Sequence, residues 1–137
     1  MIKVLLADDH AFVRDALVDL FTASGDVTVV AECGDGDEVV PAVDATQPDV
    51  ILLDVSMPRV TGLEAARQLL AAHPGARIVL LTGTMTPELV RQAQELGLAG
   101  YLLKGDDPGD LPRHVRTVAA GGTAWSPAVV AAQAGTR

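Results

Sequence analysis

The sequence predicts an α/β fold, a doubly wound parallel sheet of five strands with helices on both faces, and three observations carry that prediction. Five short runs rich in Val, Ile and Leu recur at fairly even spacing: Lys3 to Ala7, Val27 to Cys33, Val50 to Leu53, Ile78 to Leu81 and Gly100 to Leu103. They mostly lack polar alternation, the pattern of strands covered on both faces by helices. Segments with helical spacing separate them, so strand and helix alternate five times, and right-handed crossovers give one doubly wound domain.

Each element has its own signal. The first strand runs into Asp8-Asp9, and the helix after it is expected over Phe12 to Ala23, with Phe12, Ala16, Leu17, Leu20 and Phe21 on its apolar side and Ser24-Gly25 as its exit. Asp35 or Asp37 caps a second helix that runs to about Thr46 with Pro41 in its first turn. Thr61 and Glu64 make a capping box for a third, Gly62 to Ala72, closed by His73-Pro74-Gly75. Thr86-Pro87 opens a fourth, running to Leu96 before Gly97. Asp110 opens a fifth, which turns Leu111, Val115 and Val118 inward and ends at Gly121-Gly122. Beyond it, Ser126-Pro127 and Gly135 bound a short tail helix, with Trp125 as its candidate anchor.

Composition excludes several classes. At 137 residues, 49% of them hydrophobic and 20% charged, the chain can bury one core and lies outside disordered composition. A formal charge of -8 is the wrong sign for a surface that neutralises phosphates, so this segment alone is not expected to bind nucleic acid. No apolar run approaches the roughly 20 residues of a membrane helix. The N-terminus lacks the charged, apolar and small-residue regions of a signal peptide, which reads as cytoplasmic with no membrane association. Cys33 is the only cysteine, so no internal disulfide is possible, and it is expected as a buried strand residue. His10, His73 and His114 lack metal-ligand spacing and read as surface or local structural residues.

In open α/β sheets ligands bind beyond the carboxyl ends of the strands, and here those ends are polar. The first strand ends in Asp8-Asp9, the third in Asp54, the fourth in Thr82 and the fifth in Lys104. Carboxylates gathered there repel by about 4 kcal/mol per close pair at an effective dielectric near 20, so positive charge must sit among them. Asp8, Asp9 and Asp54 offer hard oxygen ligands suited to magnesium, and Lys104 supplies a second positive charge. With that charge offset, a carboxylate can act as nucleophile toward phosphorus. Lys104, the Thr82 hydroxyl and the Gly83 backbone N–H are candidate partners for the phosphoryl oxygens.

Asp8-Asp9-His10, the run from Leu52 through Asp54 to Pro58 with Thr61-Gly62, then Leu81-Thr82 and Gly100-Tyr101-Leu102-Leu103-Lys104, resemble the response-regulator receiver domains of two-component systems over about residues 1–120. The resemblance implies a flavodoxin-like (CheY-like) sheet of order 2-1-3-4-5. It implies Asp54 as phosphoacceptor, assisted by Thr82 and Lys104. Asp8, Asp9, Asp54 and the backbone carbonyl of Ser56 would hold Mg2+, with Thr82 as switch hydroxyl and Tyr101 as switch aromatic. The implied partners are a sensor histidine kinase and a second copy of the chain upon phosphorylation. The Asp-Asp-His opening and Gly121-Gly122-Thr123 with Ser126-Pro127 resemble more narrowly the NarL/FixJ (LuxR-type) subfamily, whose members usually continue into a DNA-binding helix-turn-helix. Only a linker or short appended helix, 121–137, follows the receiver here. The chain therefore reads as a piece of a longer transcriptional regulator, or else as a stand-alone receiver, with contact to DNA only through an output domain it lacks.

The chain departs from the family pattern at Gly105, where many receivers have proline after the lysine, and at Gly83-Thr84-Met85-Thr86 in place of a more acidic or aromatic stretch. Two other classes fit less well. A haloacid-dehalogenase-like phosphatase places a second acid two positions after its nucleophile, where this chain has Ser56. A flavodoxin cradles phosphate in its first loop, which Asp8-Asp9 would repel. The alternative that keeps the same family is a phosphorylation-independent receiver acting as a protein-interaction module; the complete acceptor set favours the phosphoacceptor.

Overall fold

The computed structural model describes residues 1–135. The strands are β1 (Ile2–Ala7), β2 (Val27–Cys33), β3 (Val50–Leu53), β4 (Ile78–Thr82), β5 (Gly100–Leu103) and β6 (Ala124–Trp125). The helices are α1 (Ala11–Ser24), α2 (Val39–Thr46), α3 (Gly62–Ala72), α4 (Pro87–Glu95), α5 (Leu111–Ala119) and α6 (Pro127–Gly135). All strand pairs are parallel, in the order β2-β1-β3-β4-β5-β6. The expected five strands therefore stand in the expected order, with a sixth added at the β5 edge. Its two residues have no periodicity to betray them; only the pairing Gly100 with Ala124 and Tyr101 with Trp125 makes them a strand.

Period-two alternation sorts the strands onto two cores. Leu5, Ala7, Ile51, Leu53, Ile78 and Leu80 face one side with residues of α2, α3, α4 and α6. Val4, Leu6, Val50, Leu52, Val79 and Leu81 face the other with Phe21 of α1 and Val115 and Val118 of α5. Cys33 lies buried at the end of β2, and burial pushes its thiol up to about 11. Among the described residues no helix is long and apolar enough to cross a membrane.

The two threonine caps read from sequence are made, whereas Asp110 makes no side-chain bond to α5, which instead follows a 3-10 turn over Pro108–Asp110 capped by Asp107. Thr61 Oγ1 accepts the Glu64 N–H at 3.2 Å, and Thr86 Oγ1 accepts that of Leu89 at 3.1 Å. Two further local readings are corrected. The second helix begins at Val39, after a 3-10 turn over Gly36–Glu38 that Asp35 caps. On α1, Phe12 is 85% exposed and Ala16 is exposed, so the inward stripe is instead Arg14, Leu17, Val18 and Phe21, at the i, i+3, i+4, i+7 spacing.

A candidate metal and phosphoryl site at the strand ends

Sheet register delivers the site. Ala7 of β1 stands opposite Leu53 of β3, and the ladder continues one step further, with the Asp54 N–H donating to the Ala7 carbonyl at 2.8 Å and that of Asp8 to Cys33 at 3.0 Å. On the other side Thr82 of β4 pairs with Leu103, and the Lys104 N–H donates to the Thr82 carbonyl at 2.9 Å. Asp8, Asp54, Thr82 and Lys104 thus leave neighbouring strands at one level.

Asp8 and Asp54 are only 3% and 4% exposed, so their charges need partners. One ammonium serves both: Lys104 Nζ lies 2.5 Å from Asp8 Oδ2 and 3.0 Å from Asp54 Oδ2. Burial opposes the lysine's charge, but the bonds and fields of the two carboxylates outweigh it and hold its pKa above the ordinary lysine value. Oxygen and nitrogen atoms of Asp8, Asp9, His10 and Asp54 lie within 4.8 Å of one another. Three carboxylates against one ammonium leave two negative charges unmatched, and the oxygen donors are hard. That donor set fits a divalent ion of the magnesium type. Asp9, by contrast with Asp8 and Asp54, is exposed and faces solvent at the mouth of the site.

The loops around the site are tied down. Ser56 lies two residues past Asp54, its N–H 3.4 Å from Asp54 Oδ1. Thr82 is buried, its Oγ1 accepting the Thr84 N–H at 3.2 Å. Tyr101 is fully buried, its hydroxyl donating to the Thr84 carbonyl at 2.5 Å, and burial pushes it up to about 12. The chain from Thr82 to Thr84 is therefore held at both ends by the two residues read as a switch. Gly83 makes no contact within 4 Å of where a Cβ would stand.

Three residues escaped the sequence reading. Arg14 donates to the Asp8 carbonyl and reaches Glu32 at 3.5 Å, fixing the β1 end against β2; the available signal was a basic residue on the inward stripe of α1. Asp35, read only as a cap, also accepts the N–H groups of Arg59 at 3.0 Å and Val60 at 2.8 Å, which moors the loop after Asp54 to the loop after β2. No local pattern announces bonds 24 and 25 residues away. His10 is the surface or local structural residue it was read as, its side chain 67% exposed, and what escaped is its contact with the cluster, Nδ1 lying 3.2 Å from Asp8 Oδ1 and 3.0 Å from Asp9 Oδ1.

Residues 4–116 match the family model for the response regulator receiver domain. An uncharacterised transcriptional regulatory protein of Bacillus subtilis, YxjL, is 42% identical over 120 residues, covering 88% of this chain and 55% of the relative. The DNA-binding transcriptional activator DevR/DosR of Mycobacterium tuberculosis is 40% identical over 121 residues, covering 88% and 56%. Among solved structures, a LuxR-family two-component response regulator from Aurantimonas sp. SI85-9A1 superposes with a TM-score of 0.93 at 31% identity, over 98% of this chain and 96% of that one. The chain spans about half the length of the curated relatives it matches.

Proposed function

Because the chain belongs to the response regulator receiver domain family, we propose that Asp54 is its phosphoacceptor and that a phosphohistidine on a partner sensor kinase is the donor. The observation that carries this reading is the single Lys104 ammonium shared by the buried carboxylates of Asp8 and Asp54. A structural ion pair needs one carboxylate; a second, with Asp9 alongside, makes a site short of positive charge and suited to a metal and a phosphoryl group.

In the transfer an Asp54 carboxylate oxygen attacks phosphorus, a P–O bond forms as the P–N bond to the donor imidazole breaks, and that imidazole leaves with the electron pair. Magnesium, when held by Asp8, Asp9, Asp54 and the backbone carbonyl of Ser56, offsets charge on the phosphoryl oxygens. Lys104 follows the new charge, its Nζ already at the Asp54 carboxylate. Thr82 Oγ1 turns toward another phosphoryl oxygen and gives up the Thr84 N–H it now accepts. The Thr84 carbonyl also carries the Tyr101 hydroxyl, so moving Thr82 loosens the β4–α4 loop against β5. A chain with Asp54 phosphate then favours the partner that binds the altered face better, a second copy or an output domain.

In this reading residues 1–120 are the receiver and 121–137 connect it to a DNA-binding helix-turn-helix of the NarL/FixJ type, so that the whole protein regulates transcription in the cytoplasm. The chemistry is self-phosphorylation and dephosphorylation at Asp54, a signalling event and not substrate turnover.

Intact mass after incubation with acetyl phosphate and magnesium tests the proposal. One phosphoryl group is expected on the wild type, none on Asp54→Ala and none with chelator. Addition that persists in Asp54→Ala, or no addition from acetyl phosphate and a panel of kinases, would overturn it.

A further inference from the structure

We propose that Arg14 is a positioning residue of the acidic site: its guanidinium fixes the Asp8–Asp9 peptide so that both carboxylates reach one divalent ion. The inference rests on the reading of Asp8, Asp9 and Asp54 as a metal site. The ladder between β1 and β2 ends with Ala7 opposite Cys33, and the Asp8 N–H donates to the Cys33 carbonyl at 3.0 Å. On the other side of the residue the chain has left the strand, and Arg14 Nη1 donates to the Asp8 carbonyl. That carbonyl belongs to the peptide joining Asp8 to Asp9, so the bond sets the direction in which both side chains leave the backbone. Lys104 answers the charge of Asp8 at Oδ2, 2.5 Å away. Arg14 meets Asp8 through the backbone, and among the described residues its carboxylate partner is Glu32 of β2, at 3.5 Å.

Arg14 breaks two local rules where it stands, the mark of a residue serving something other than its own helix. It is the fourth residue of α1, near the end of the helix dipole that favours acids, and no acid stands in that first turn. It also sits on the inward stripe with Leu17, Val18 and Phe21, where an apolar side chain would pack, and is only 19% exposed. Enclosing a guanidinium there costs free energy unless its donors are used. Nη1 is used at Asp8, whereas Nε is enclosed without a hydrogen bond, Glu32 supplying only charge. A Cβ on Gly34 would stand 3.8 Å from Nη1, so the turn after β2 lies against the group. The contact retained at that cost is the one that orients the Asp8–Asp9 peptide. Charge and position predict opposite signs. A bare cation beside a metal site repels the incoming ion, so losing it would tighten binding. Losing a group that orients two ligands loosens it, by about 10–100-fold.

The test uses the 137-residue chain, with manganese, which shares magnesium's oxygen ligands, as the probe and electron paramagnetic resonance to count the free ion. Arg14→Met is expected to weaken manganese binding roughly tenfold or more. Arg14→Lys keeps the charge without the planar fork and is expected to weaken it less. In acetyl phosphate labelling the half-saturating magnesium concentration should rise by the same factor, while the rate at saturating magnesium is kept. Val18→Ala loosens the packing of α1 on the same stripe and should leave metal affinity unchanged. Circular dichroism checks the fold, and if Arg14→Met does not fold, Arg14→Lys decides on the same reading. Affinity in the Arg14 variants equal to or tighter than that of wild type, or an equal loss in Val18→Ala, would overturn the role of Arg14 and leave the acidic metal site standing. No manganese binding by the wild type would overturn both.

Discussion

Gly62 lies in backbone contact with Asp54: a Cβ at Gly62 would stand 2.0 Å from the Asp54 carbonyl oxygen and 3.1 Å from Cα of Val55. The first turn of α3 thus presses directly on the peptide of Asp54, the proposed acceptor, and the Gly62 N–H donates to the Val55 carbonyl at 2.9 Å. Gly62→Ala is expected to cost about 1–3 kcal/mol, the scale of overpacking a close contact. Phosphoryl uptake at Asp54 should fall with it. Urea unfolding and intact mass check both, with Gly75→Ala, where nothing lies within 4 Å, as the unaffected control.

Lys104→Met removes the ammonium that two buried carboxylates share. Breaking a fully enclosed pair costs about 3–5 kcal/mol; with the lysine side chain 25% exposed, a loss of about 1–3 kcal/mol is expected in metal-free buffer. The lysine's pKa is raised in the folded state, so its contribution is complete below the unfolded value near 10.4 and disappears as pH climbs through the folded one. The stability gap between wild type and variant should therefore hold from neutrality to about pH 10 and close above it. Unfolding midpoints across that range measure it.

Asp35→Asn tests the opposite sign. The Val60 N–H foremost, against burial that opposes it, and the Arg59 and Gly36 N–H groups hold the Asp35 carboxyl below the usual range. Its contribution is then complete above the unfolded value near 3.9 and fades as pH falls through the lower folded value. The variant should be less stable at neutral pH, and wild type should approach it as the buffer is made more acidic than about pH 3.9. A pH series of thermal melts would reveal a gap independent of pH if Asp35 only packed.

Thr82→Ala separates chemistry from signal. Trp125, the only tryptophan, pairs in register with Tyr101, so its fluorescence reports the β5 edge. Phosphorylated wild type is expected to change that fluorescence and its oligomeric state. Thr82→Ala should still take the phosphoryl group yet change neither; an unaltered response would remove Thr82 from the switch.

Wherever local pattern determines structure, the sequence was readable. The Val, Ile and Leu runs mark β1 to β5 because both faces of those strands are covered, and Thr61 and Thr86 mark α3 and α4 because their caps act within three residues. Asp8, Asp54, Thr82 and Lys104 were legible as a set because a parallel sheet brings the residues after its strands together. What escaped depends on distance along the chain. β6 exists only through its pairing with β5, Asp35 works across 25 residues, and the stripe of α1 is shifted by Arg14, whose guanidinium turns inward to the Asp8 carbonyl.

The sixth strand has a bearing on solubility. A sheet ending at β5 would offer a row of bare amide and carbonyl groups to any extended chain, the usual starting point for edge-to-edge aggregation. Ala124 and Trp125 occupy that row, and the approach is close: a Cβ on Gly100 would stand 2.0 Å from the Ala124 carbonyl oxygen. The guard is two residues long, reinforced by the Ser126 N–H donating to Tyr101 at 2.9 Å and by fully buried Val129 of α6. The outermost strand is thereby cut to two residues, and an edge that short offers little length for a further strand to pair with.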